Sequence, residues 1–522
     1  MCTFLKWFFP LLLSSLLLPP TAWAHAFLKV VNLDTATSPG KGVSGVTDLE
    51  ISGSGFPEDT IRPDQMIISL AAKCNDRNAV FTTATSVKHV HGNRMRIHFF
   101  LPRSLAEGTY FISLRGTTAS GIRFFSSDCT KTMASLEKLP DPNTFGRWTN
   151  QEYVAWSRNI DRAYAIKSFR HGPMVSDLPR DELPRVTYGF NGKTHDIDDY
   201  MRHLKVTGLL IIKDGKVLTE RYAYGNNSNT LWESESVAKS IVATLIGVAV
   251  KDGYIASLND AVTKYIPELT GSGYDGVTLR SMLQMTSGVK FDESDYTDPT
   301  TDAAVIEHCF VARIAGCALN YMKTLPSIAP QGSIWKYSSG EAFLTGLALQ
   351  RATGQNVADY LQRKIWQPYG MESDGYWALE AKDGAALSEA GFNATLRDWG
   401  RFGLYVMNNG VLKNGEKTLP DHWMKDATAW TDASAQAYGY PDYGYMWWWN
   451  PVDPNTNHPN PASTFHSDWT FAALGIYGQM IAINQKERLI VVQWATWDEA
   501  DGPPDHYNEE ATFFNALIKA LH

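Results

Sequence analysis

The stretch Trp232-Glu233-Ser234-Glu235-Ser236-Val237-Ala238-Lys239, with the helix it opens, decides how the rest of the chain is read. From Ser236 to Val250 nearly every residue is apolar, and Asp252-Gly253 then stops the run. Apolar residues on every face predict a helix buried inside a domain rather than lying on its surface. An unpaired ammonium is costly in such a place, yet Lys239 stands one helical turn after Ser236, on the same face. Burial lowers a lysine's pKa, so the amine can take a proton from a neighbouring hydroxyl. The bland reading makes Ser236 an N-cap and lets Lys239 reach out to water. Ser38/Lys41, Ser135/Lys138, Ser287/Lys290 and Ser333/Lys336 share the spacing. Only Ser236 opens a long helix that is apolar all round, which favours the catalytic reading.

At 522 residues, 44% hydrophobic and 20% charged, the chain has room for two or three domains and no shortage of core. A net charge of −8 gives nothing that points to nucleic acid or to an anionic membrane surface. Residues 1–24 read as an export signal: Lys6, an apolar run from Trp7 to Leu18, and Ala22-Trp23-Ala24 before His25. No later stretch reaches the roughly 18 apolar residues of a transmembrane helix. The expectation is a periplasmic or secreted protein. Cys74, Cys129, Cys309 and Cys317 then remain beyond the signal. Proximity along the chain favours Cys74–Cys129 and Cys309–Cys317, and an oxidising compartment permits both. None has C-x-x-C spacing, so neither a zinc nor a redox site is expected, and no cofactor.

Residues 25–130 read as a small all-β domain. The runs Ala26–Leu33, Leu49–Ser52, Met66–Leu70, Arg94–Leu101 and Thr109–Leu114 are separated by Gly, Pro, Asn and Asp turns. The phrases from Ile51 to Phe56 and from Leu101 to Tyr110 resemble an immunoglobulin-like IPT/TIG module, which implies a spacer or a docking site for a protein or carbohydrate partner. His89, His91 and His98 read as a polar strand face rather than a metal site. Residues 131–186 read as a linker lying against the next domain, which spans 187–522. There Gly208–Lys213 and Val217–Tyr222 flank Asp214-Gly215 as a β-hairpin. Helices are expected at Leu279–Met285, Glu341–Thr353 and Leu396–Met407, and strands at Tyr445–Trp449, Gln479–Ile483 and Leu489–Trp494. Strands at both ends with helices between predict an α+β fold: one antiparallel sheet with flanking helices plus a helical subdomain.

A serine–lysine pair needs a second proton carrier and an oxyanion hole. Tyr337, in Tyr337-Ser338-Ser339 just before a helix, can enter a cleft; beside an ammonium its phenolate becomes accessible. Ser236-x-x-Lys239, Leu283-Gln284-Met285-Thr286-Ser287-Gly288 and Tyr337-Ser338-Ser339 follow the order and rough spacing of the serine β-lactamase and penicillin-binding superfamily. The chain most resembles its class C, esterase and aminohexanoate-dimer hydrolase branch. Further matches run from Asn259–Leu269 through Gly354–Met371, Arg397–Gly403 and Tyr443–Trp448 to Gly475–Gln479. The resemblance implies that Ser236 is the acylated nucleophile, Lys239 its activating partner and Tyr337 the proton shuttle. The oxyanion hole would be the backbone N–H groups of Ser236 and Ile476. It also implies substrate contacts from Tyr296, Ser339, Gly475 and Tyr477. Two departures matter. The third position of Tyr-x-Asn is Ser339, and the Lys-Thr-Gly strand motif reads Ala473-Leu474-Gly475, without the cation that greets a β-lactam carboxylate. A small-molecule amide or ester is therefore the expected substrate. A D-amino-acid peptidase or β-lactamase is the rival enzyme, and a non-catalytic binding protein the rival of another class.

Overall fold

The computed structural model describes residues 28–34, 40–74, 76, 78–429, 431–438, 443–449 and 470–522. The export signal read at 1–24 lies outside the described residues. Two compact units divide the chain, residues 1–136 and 137–522.

The first unit is strand-rich, a small β domain. Its strands include Leu28–Leu33, Asp48–Ser54, Met66–Ala71, Arg94–Phe100 and Gly108–Thr117, and a buried core of Val31, Ile51, Phe56, Ile68, Ile97 and Phe99 fills it. Cys74 and Cys129 are disulfide-bonded, with Cα atoms 5.9 Å apart. His89 and His91 are exposed on Ser86–His91, and His98 faces Asp48 and Glu50 at 3.3 and 3.2 Å.

The second unit is organised by helix α1 (Ile197–His203), strands β1 (Val206–Lys213) and β2 (Lys216–Tyr222), helices α2 (Val237–Lys251), α3 (Ser339–Thr353) and α4 (Leu396–Met407), strands β3 (Trp448–Trp449), β4 (Thr470–Gly475), β5 (Gln479–Asn484) and β6 (Leu489–Ala495), and helix α5 (Pro504–Ala520). The sheet order is β2-β1-β6-β5-β4-β3, antiparallel throughout. Asp214 (φ 52°) and Gly215 (φ 79°) close the β1–β2 hairpin, as its D-G turn demands. Strand β3 is shorter than the Tyr445–Trp449 expected, because Met446 turns the backbone at φ 54°.

Side chains alternate across this sheet. Leu210, Ile212, Ile481, Ile483, Ile490, Val492 and Trp494 join the large core around α2. Leu209, Ile211, Met480, Ala482, Leu489 and Val491 join a second core under α1 and α5. Within α2, every residue from Val237 to Ala249 is buried, and each large aliphatic side chain there contributes about 1.5–3 kcal/mol. Residues 137–186, expected as a linker, belong to this unit. They hold a helix at Asn150–Ser157 and a strand at Ala165–Phe169 paired with Gly375–Leu379. Cys309 and Cys317 form the second disulfide. Among the described residues no helix is long and apolar enough to cross a membrane.

Candidate active site

Ser236 reaches its place through a tight turn. Trp232–Glu233 pairs with Ala394 and Asn393, and Ser234 N–H donates to Phe392 O at 2.9 Å. Glu235 then takes φ 46°, a left-handed conformation that costs a non-glycine residue energy and concentrates at functional sites. Three successive amides, of Val237, Ala238 and Lys239, bond back to the carbonyls of Ser234, Glu235 and Ser236 at 3.0–3.2 Å. The chain is thereby turned sharply into α2.

The Ser236 side chain makes no cap bond to the helix, which removes the N-cap reading. Lys239 does not reach water either: it is 2% exposed. Its Nζ donates to Ser236 Oγ at 2.7 Å and to the Glu389 carbonyl at 3.1 Å, and lies 4.9 Å from the centre of the Tyr337 ring. Burial holds its pKa below the usual lysine value; the carboxyl groups of Glu293, Glu389 and Glu235 pull the other way. Burial also pushes Glu235 and Glu389 up to about 8. Glu233 is raised well above the ordinary range, by burial first and then by its acidic neighbours. Burial thus favours the uncharged amine, while the acidic groups around it, Glu293 first, favour the ammonium.

Tyr337 stacks on Trp448, ring centres 5.8 Å apart at 29°. Its hydroxyl is held well above the ordinary phenol range by burial and Glu293, against a hydrogen bond with Ser236. The expected phenolate is therefore not what the site favours. Tyr337 stays a phenol, suited to giving a proton. It is set at the start of α3 by Ser338, whose Oγ accepts from Glu341 N–H at 3.1 Å, and Glu341 in turn accepts from Ser287.

The other implied site residues are differently employed. Ser339 donates from N and Oγ to Glu293 at 2.7 and 2.6 Å, and Tyr296 donates to the same carboxylate. Ser339 thus anchors Glu293 rather than offering a free hydroxyl. Gly475, at the end of β4, lies against the nucleophile turn; a Cβ there would stand 2.8 Å from Ser234 O and 3.0 Å from Glu235 Cβ. The next amide is that of Ile476. Tyr477 is buried at φ 61°, its ring 4.0 Å from that of Tyr153. Its ring packs among those of Tyr153 and Phe145.

Two contributors escaped the sequence reading. Glu293 could have been suspected from its place three residues before Tyr296, an implied substrate contact. Phe145, in the expected linker, sets its ring 6.1 Å from Tyr296 and 6.0 Å from Tyr477, and nothing local marks it. A cavity of about 460 Å³ opens beside Tyr296, lined by Phe145, Arg147, Thr297, Glu307 and Val311 among others. Ser236, Lys239 and Tyr337 do not line it. Its volume is that of a small-ligand pocket, and Tyr296, which shares Glu293 with Ser339, stands at its edge.

The sequence pattern of the beta-lactamase family matches residues 195–512. The 6-aminohexanoate-dimer hydrolase of Paenarthrobacter ureafaciens is 22% identical over 317 residues, 59% of this chain and 76% of that protein. Esterase EstB of Burkholderia gladioli is 29% identical over 201 residues, 35% of this chain and half of the esterase. A solved structure of a candidate 6-aminohexanoate-dimer hydrolase from Bacillus anthracis superposes with a TM-score of 0.61 at 20% identity, covering 74% of this chain and 98% of that one. That likeness confirms the α+β fold. These relatives are named as hydrolases, and with more than half the chain matched, the protein belongs to the beta-lactamase family.

Proposed function

We propose that this is an exported serine hydrolase that cleaves a short amide or ester through an acyl-enzyme on Ser236. The observation that carries the reading is the buried pair itself: Lys239 Nζ 2.7 Å from a Ser236 hydroxyl that caps no helix. Neutral Lys239 takes the Ser236 proton as Oγ attacks the carbonyl carbon. The oxyanion that forms is met by the backbone N–H groups of Ser236 and Ile476. Collapse breaks the bond to the leaving amine or alcohol, which takes a proton from the Tyr337 phenol, and Lys239 returns its proton to Tyr337. Water then repeats the sequence on the ester, releasing the acid and restoring Ser236. Two relatives matched over part of their length, an aminohexanoate-dimer hydrolase and an esterase, support amide or ester chemistry. Export is supported by the leader-like residues 1–24 and by two disulfides.

Labelling with a fluorophosphonate, followed by mass spectrometry of the tryptic peptides, tests the assignment. The label should fall on Ser236 and disappear in Ser236→Ala, which should lose p-nitrophenyl ester hydrolysis and keep its melting temperature. Full activity in that variant would overturn the assignment and leave the non-catalytic binding protein as the better reading. Family membership also keeps the β-lactamase and D-amino-acid peptidase readings in play, and the absent cation at Ala473-Leu474 argues against the first.

A further inference from the structure

We propose that His195, Asp199 and His203 form a binding site for one divalent transition-metal ion of the zinc class, remote from the serine–lysine pair. Helix α1 brings two of them together: Asp199 and His203 are one turn apart on one face. His195 ends the short strand Lys193–His195, just before the helix. One donor atom from each of the three lies within 4.8 Å of the others. His195 Nδ1 is 3.5 Å from Asp199 Oδ2, and the two imidazoles are 4.9 Å apart at 77°. A tetrahedral ion with bonds of about 2.0–2.1 Å would need the donors to close in by about 1 Å. Rotation of two side chains at a half-open surface supplies that.

The second nitrogen of each ring argues for more than a chance cluster. Metal-binding histidines almost always donate their other N–H to a carbonyl or carboxylate, which fixes the tautomer and the ring's direction. Here His195 Nε2 lies 3.3 Å from Phe190 O, and His203 Nδ1 lies 2.8 Å from Glu509 Oε1. Glu509 is itself buried and accepts from Tyr188 at 2.5 Å. The ring nitrogens left over, His195 Nδ1 and His203 Nε2, are the ones offered to a cation. Asp199 already accepts from Arg202 and, at 3.2 Å, from Asp196 N–H. The arginine is two-thirds exposed and can leave. Two imidazoles and one carboxylate suit zinc, nickel or copper better than calcium or magnesium.

The residues around it belong to the second core, under α1 and α5, on the sheet face opposite the one that packs on α2. An ion there would tie the Tyr188–His195 hairpin and α1 to α5 through the Glu509-backed His203. The proposed role is a structural clamp, with no part in acyl transfer.

Isothermal titration of untagged, EDTA-stripped full-length protein with ZnCl2 tests this. One equivalent should bind to the wild type, raising its melting temperature. The double variant His195→Gln/His203→Gln should lose that equivalent. Asp199→Asn, which keeps an oxygen for the helix cap, should weaken binding at least about tenfold. Ester hydrolysis should be the same with zinc and with EDTA, which separates this site from the Ser236 assignment. Failure of the wild type to bind zinc would overturn the proposal without any variant having to fold. So would an equivalent retained in the double variant, since the ion would then sit elsewhere.

Discussion

Gly475→Ala tests whether the end of β4 completes the catalytic site. The backbone there is ordinary, φ −135° and ψ 150°, so alanine meets no conformational objection. The objection is space. The new Cβ would sit 2.8 Å from Ser234 O, 3.0 Å from Glu235 Cβ and 3.1 Å from Gln479 Cβ, whereas ordinary contact begins at 3.4 Å. The nearest of these is backbone, so β4 and the nucleophile turn must separate by about 0.6 Å, the difference between 3.4 and 2.8 Å. An oxyanion donor works at about 2.7–3.1 Å, and losing one costs about 10²–10³ in rate. A displacement of 1 Å can cost about 10², so a loss of about 10–100-fold in kcat is expected. Overpacking of this kind costs about 1–3 kcal/mol in stability. The assay is steady-state hydrolysis of a p-nitrophenyl ester alongside a urea unfolding curve. A variant with kcat within twofold of wild type would refute the placement of the Ile476 amide opposite Ser236, whatever its stability.

Gly247→Ala, inside α2, should destabilise by at least about 1 kcal/mol although alanine is the better helix former by about that much. Its Cβ would lie 2.4 Å from the Trp423 indole; a stabilised variant in urea would contradict the packing. Burial pushes the Glu510 carboxyl up to about 8. The fold therefore holds a proton that the unfolded chain gives up near pH 4.5, and stability should fall as pH rises from there to about 8, by up to about 1.4 kcal/mol per unit. Glu510→Gln, which keeps an acceptor for Gln493, should make that slope shallower between pH 5 and 8 while Glu235, Glu341 and Glu389 keep their share of it; an unchanged slope would place the proton elsewhere. Finally, kcat/KM for a short p-nitrophenyl ester or a linear amide should exceed that for nitrocefin by about ten- to a hundredfold, since a charge-assisted contact of roughly 1.5–3 kcal/mol is missing at Ala473-Leu474. Efficient nitrocefin turnover without ester or amide hydrolysis would reverse the substrate reading.

What could be read without coordinates was what local pattern encodes. The D-G hairpin, the all-round apolar α2, the bounds of α4 and both cysteine pairs follow from periodicity, turn chemistry and proximity. Ser236 and Lys239 meet because one helical turn brings them together, so their contact was legible too. Tyr337 arrives from a hundred residues away and was legible only by resemblance. Contacts that depend on packing between distant segments were not legible. Ser339 was read as facing substrate, yet a glutamate 46 residues earlier in the chain occupies it. Tyr477 was given the same task, and its buried ring packs against that of Tyr153. The acidic surroundings of Lys239 were invisible because Glu235 and Glu389 are 154 residues apart in sequence and become neighbours of one amine only in the fold.

Phe145 has a consequence for how such an enzyme diversifies. The family pattern begins at residue 195, while Phe145 and Arg147 line the cavity beside Tyr296. Part of the wall of that space, from Pro142 to Arg147, is thus written upstream of the stretch that holds the serine, lysine and tyrosine. Mutation can redraw the upstream stretch while the serine, lysine and tyrosine stay under their own constraint. Redrawing that wall would reshape the cavity while the serine–lysine pair is left as it stands.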